Sequence, residues 1–193
     1  MLHLDQRGKA LSWYSDFVGI VVHRRQVVAH REVTDDIGIV HRYNEVLSGE
    51  AMDKGPVMLS WRDVAHAGAS AEQGYNVVIH EFVHKIDMRG GAPDGCPPLP
   101  AGFMGAPTAR AAKHRWLATL QPAYEAFREQ VIMAERFGGH PPWLNAYGAE
   151  SIAEFFAVTC EAYFVNRPHF ELALPTLVPL YDEFFKRADT LPT

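Results

Sequence analysis

Five consecutive residues constrain this chain more than any others: His80-Glu81-Phe82-Val83-His84. On an α-helix, residues four apart lie one turn above each other, so both imidazoles can reach a single metal ion. The neighbouring sequence has helical periodicity. Tyr75, Val78, Ile79, Phe82, Val83 and Ile86 supply an apolar surface, and Gln73, Asn76, His80, His84 and Asp87 recur every three or four residues on another face. Ser70-Ala71-Glu72-Gln73 fits a capping box and Gly90-Gly91 a stop, which predicts a helix from about Ala71 to Met88. Lys85, a charge flanking the motif, is read as projecting to solvent.

This spacing carries chemistry. Zinc lowers the pKa of water bound to it to about 7, and a glutamate beside the ion can take that proton as water attacks a peptide carbonyl. Glu81 is the candidate base, with His80 and His84 the candidate ligands. A catalytic site needs a third protein ligand and keeps a fourth position for water. A glycine and a histidine three and six residues beyond the motif would extend it, but Asp87 and Gly90 stand there. His114, His140 and His169 sit singly among polar residues. Glu154 is the lone carboxylate of the apolar helical stretch Ile152–Val158, where burial without a partner would be costly. It also fits a capping box with Ser151, so it has a purely structural reading. Glu161, on nearly the same face, and Asp87 are candidates to orient a ligand histidine.

Around this helix the order is strands first, helices after. Val18–His23, Gln26–His30, Ile37–His41 and Val57–Trp61 read as a small sheet. Helices are expected over Thr108–Phe137, Ser151–Val165 and Pro168–Arg187. Residues 90–107 hold five prolines and five glycines and are expected to form a long surface loop. The result is one α+β domain over residues 1–193. Gly55–Trp61 is weighed as a sheet-edge strand for an extended peptide against an ordinary interior strand. Phe155, Phe156, Tyr163, Phe164, Phe184 and Phe185 are read as core, and Trp143 as an anchor for its loop.

Bulk properties narrow the function. A net charge of −5 gives no basic face for nucleic acid. No apolar run approaches the ~20 residues of a membrane span, and the first eight residues do not resemble an export signal. Cys96 and Cys160 do not form a disulfide framework, so a cytoplasmic setting is expected. Their positions also disfavour a structural zinc closed by four protein ligands.

Taken together, Val57-Met58-Leu59-Ser60-Trp61, His80–Asp87, and Tyr147 followed by Glu154-Phe155-Phe156-Ala157-Val158 resemble the Mlc titration factor A family of zinc peptidases. The likeness runs from about Ile20 to Tyr163. The family is similar in turn to the catalytic domain of anthrax lethal factor, which shares the seven-residue interval from tyrosine to ligand glutamate. The resemblance implies a zincin-like fold with one zinc ion on His80, His84 and Glu154, Glu81 as general base, and Tyr147 as donor to the developing oxyanion. It also implies a peptide or protein substrate, with aminopeptidase activity and capture of a transcriptional repressor as family properties. Relative to longer members, the region before the sheet is expected to be shorter and the loop after the histidine helix longer. Val158 stands where several zinc peptidases carry a bracing aspartate. Two readings result: peptide hydrolysis, or regulatory binding of a repressor with zinc organising the surface.

Overall fold

The computed structural model describes residues 13–34 and 40–185. The strands are β1 (Ile20–His23), β2 (Val27–Thr34), β3 (Val40–Leu47), β4 (Gly49–Ala51) and β5 (Val57–Ser60). The helices are α1 (Trp61–His66), α2 (Val77–Asp87), α3 (Ala109–Phe137), α4 (Ile152–Val165), α5 (Arg167–Ala173) and α6 (Val178–Phe185). This is the expected α+β order, but the described strands make two sheets rather than one. β2 and β3 pair antiparallel from Val27 opposite Leu47 to Thr34 opposite Val40. β5 lies between β1, parallel to it, and β4, antiparallel to it. Of the expected strand at Ile37–His41, residues 37–39 lie outside the described ones.

β5 is therefore an interior strand, and the docking-edge reading of Gly55–Trp61 is corrected. Val57 and Leu59 are buried with Val77 of α2, as suits a strand paired on both sides. The strand stops at Ser60, and Trp61 opens α1. Among the described residues, the edge facing α2 is β4, which is too short to show a period in sequence.

The motif helix starts later than its sequence suggests. Ala71–Gln73 form a 3-10 turn that ends at Gly74 with φ 73°, a left-handed geometry that a side chain resists. The Ser70 hydroxyl donates to the carbonyls of Ala67 and Tyr75 instead of capping a helix. Asn76 is the true cap, its Oδ1 accepting the Ile79 N–H at 3.1 Å. α3 is capped by Thr108, runs through Pro122 and ends at Gly138. The region expected as one helix from Pro168 is two, α5 and α6, because Pro175 falls between them.

α4 is the centre of the molecule. Ten of its fourteen residues are buried, which accounts for its nearly all-round apolar sequence. Phe155 and Phe156 are fully enclosed, each burial contributing about 2–3 kcal/mol. Trp116 of α3 packs edge-on to Phe156 at 5.5 Å and stacks on Tyr181 of α6 at 5.8 Å. The Pro/Gly-rich segment is not a free surface loop. Cys96, Leu99, Phe103 and Ala106 are buried in the same core, and Trp116 Nε1 donates to the Gly95 carbonyl at 2.7 Å. Cys96 and Cys160 are both buried and free. No described helix is long and apolar enough to cross a membrane.

Candidate metal centre

α2 and α4 pack face to face, and each contributes to one cluster of polar atoms. His80 Nε2 lies 3.0 Å and His84 Nε2 3.2 Å from the same oxygen, Glu154 Oε2, and the two ring nitrogens are 3.1 Å apart. Three donors around a tetrahedral zinc at its usual bond lengths sit about 3.3 Å from one another. The spacing, and a donor set of two imidazoles and a carboxylate, fit a divalent cation. It is the one group of three metal-ligating side chains found among the described residues.

Local sequence explains each position. His80 and His84 share a face of α2 one turn apart. Glu154 sits in the first turn of α4, where its backbone N–H is capped by Ser151 Oγ at 3.2 Å. Its carboxylate turns towards the histidines, so capping and clustering coexist, one through the main chain and one through the side chain. Two turns on, Glu161 Oε1 lies 2.8 Å from His80 Nδ1, and its other oxygen accepts the Asn76 N–H. Of the two candidates to orient a histidine, Glu161 makes the contact. Asp87 instead accepts the Gly95 N–H at 2.8 Å and ties the Pro/Gly-rich segment to α2.

The electrostatics favour positive charge between the helices. Burial acts to raise the Glu154 carboxyl, but hydrogen bonds from His80 and His84 hold it down at about 2. Burial acts to lower His80, and its bonds to Glu154 and Glu161 outweigh this, raising it to about 10. Glu81 is raised to about 7, by burial first, with the neighbouring histidines opposing. It is 5% exposed and lies on β4: a Cβ built on Gly49 would come within 2.5 Å of Glu81 Oε1.

These groups line a cleft of about 510 Å³ between β4 and the start of α4. Tyr147 stands at its mouth, its ring 6.1 Å from that of His80. It rides on a 3-10 turn (Ala146–Ala149) seated through Gly148, where a Cβ would press on Phe127 and Val158 at 3.3–3.4 Å. The apolar Val158 is thus part of the seat of that turn. His114, His140 and His169 stand apart from the cluster: His114 and His140 are exposed, and His169 stacks on Trp143 at 3.8 Å.

Lys85 corrects its sequence reading. It is fully buried, and its ammonium donates to the Met52 carbonyl at 2.8 Å and the Gly55 carbonyl at 3.4 Å, with Asp16 at 3.8 Å. The helix is thereby fastened to the turn between β4 and β5. β4 and the Gly49 contact went unread in the sequence, where the one available signal was the charge of Lys85 beside the histidine motif.

A family profile described as glucose-regulated metallo-peptidase M90 matches residues 2–186. Mlc titration factor A of Edwardsiella ictaluri is 36% identical over 184 residues, covering 94% of this chain and 64% of the relative. The proteins of the same name from Serratia proteamaculans and Escherichia fergusonii are 33% and 31% identical, covering 89% and 90% of this chain and 60% of each relative. The chain therefore spans a little over three fifths of the length of these curated relatives.

Proposed function

The chain belongs to the glucose-regulated metallo-peptidase M90 family, and on that premise we propose that it is a zinc-dependent peptidase of zincin-like fold and gluzincin type. His80, His84 and Glu154 hold one zinc ion, Glu81 is the general base and Tyr147 an oxyanion donor. The observation that carries the reading is the convergence of two Nε2 atoms and Glu154 Oε2 within 3.0–3.2 Å, in a cleft that also holds the Glu81 carboxylate.

Bound there, zinc supplies Lewis acidity towards water and a peptide carbonyl. The chain's own residues do the rest. Glu161, accepting from Nδ1–H of His80, orients the ring so that its other nitrogen, Nε2, faces the cleft. Glu81, with a carboxyl raised to about 7 by burial, is poised to take a proton from attacking water and return it to the leaving amine. Tyr147, at the mouth, offers its hydroxyl to the carbonyl oxygen as charge develops, a contribution of about a hundredfold in turnover. β4 offers main-chain groups along which an extended peptide can lie. Aminopeptidase action is the narrower form of this reading and rests on the family resemblance. The working site is the cytoplasm.

A second reading rests on the relatives' name, which speaks of titrating Mlc. By it, the chain captures a transcriptional repressor and the metal organises the surface. One variant separates the two. Glu81→Gln keeps the three ligands and should bind zinc at wild-type stoichiometry while cleavage of fluorogenic aminoacyl and internally quenched peptides is lost. Undiminished cleavage removes Glu81 from its role. A wild-type chain that cuts no peptide in the screen but binds the repressor supports the second reading.

A further inference from the structure

Position 49 is occupied by the one residue that lets the Glu81 side chain rest on the backbone of β4. A Cβ built there would fall 2.5 Å from Oε1, 2.6 Å from Cγ and 2.7 Å from Cδ of Glu81. Separations below 3.0 Å are essentially never seen for real Cβ atoms, so one partner would have to move. Three atoms of one side chain are involved, so a small swing of the carboxylate tip does not relieve the overlap. The strand cannot easily withdraw. Gly49 pairs with Leu59 of the interior strand, and the turn that follows β4 is held on α2 by the buried Lys85 ammonium. The glycine is not required by its backbone: its φ lies outside the left-handed region, and as part of a strand it adopts a conformation open to any residue.

We propose that Gly49 is a positioning residue for Glu81: the bare main chain at this point in the cleft wall is the seat of the carboxylate, and any side chain there displaces it. The inference deepens the peptidase reading in its consequence for turnover and rests on that reading there. The contact itself does not depend on it.

The test pairs stability with catalysis. Gly49→Ala is made in the wild-type chain and in Glu81→Ala, which removes all three contacting atoms. In the wild-type background, Tm should fall by about 3 °C or more, and in the Glu81→Ala background the cost should shrink to within about 1 °C. Equal costs in both backgrounds overturn the proposal, as does failure to fold in both; folding only with Glu81→Ala supports it. Zinc uptake, measured by dialysis against zinc alone, should be unchanged in Gly49→Ala, while kcat on a fluorogenic peptide falls by about a hundredfold with KM nearly constant. Unaltered kcat overturns the proposal for a chain that cleaves peptides. If the wild-type chain cleaves none, the peptidase reading fails and the Tm comparison decides the Gly49 contact alone.

Discussion

Glu161 and His80 face each other across the packed helices α4 and α2, with Glu161 Oε1 2.8 Å from His80 Nδ1, on the opposite nitrogen from the one nearest Glu154. That contact fixes the ring's orientation and holds the Nδ1 proton on the side away from the cleft. The same carboxylate accepts the N–H of Asn76, the cap of the motif helix, so it joins the start of α2 to the histidine it braces.

Glu161→Gln removes the charge and leaves a single amide oxygen to serve two donors. Zinc affinity should fall by about 10–100-fold, read by competition with a chromophoric chelator, while Glu81→Gln leaves affinity near wild type. Equal affinity in Glu161→Gln would show that the contact does not tune the ring.

On the proposed ligand set, metal and proton compete for His80. Its hydrogen bonds raise it to about 10 in the ion-free chain, so near neutral pH it carries a proton that ligation must expel. Zinc binding at pH 7 should release about one proton. Affinity should rise roughly tenfold per pH unit through the neutral range. Calorimetry in buffers of different ionisation enthalpy gives the proton count directly, and a count of zero contradicts this assignment.

Lys85→Met keeps an unbranched chain of similar length but deletes the donors to Met52 and Gly55 and leaves Asp16 with Arg89 as its cationic partner. The expected loss is about 2–4 kcal/mol in urea unfolding, with an unchanged m-value. A solvent-exposed lysine would show almost none.

Asp87 gives a pH signature. Burial raises its carboxyl from 3.8 to about 6, and its Oδ1 is buried without a hydrogen-bond partner. The folded chain thus holds a proton that the unfolded chain releases from pH 3.8 upwards. This contribution to stability is full below that pH and lost as pH rises through about 6, a swing of about 2–3 kcal/mol. Asp87→Asn should lose this component, so the wild-type minus variant difference falls between pH 4 and 7. A flat difference would show that the carboxyl is not raised.

Much of the site was legible because its chemistry leaves periodic traces. His80 and His84 mark a helix face, and Glu154 and Glu161 stand out as carboxylates in an apolar helix whose burial needs explaining. The strand-then-helix order followed from a change of period near residue 70. Other features carry no such trace. Ser70 and Gln73 satisfy a capping pattern, yet Gly74 adopts a left-handed turn and Asn76 takes over the cap. Proline and glycine in residues 90–107 signal the absence of regular structure, not exposure, so Leu99 and Phe103 entered the core unannounced. Lys85 reads as a surface charge because its acceptors are main-chain carbonyls some thirty residues away, which no side-chain pattern records.

The proposed ligands stand on two different helices, and the second, α4, is enclosed with α3 and α6 in the aromatic core. An unfolded or half-packed chain therefore offers a cation just the histidine pair, without the carboxylate from seventy residues further on. Tight metal uptake becomes a readout of completed folding, and a substitution deep in the aromatic core, far from the cleft, can abolish it without touching a single ligand.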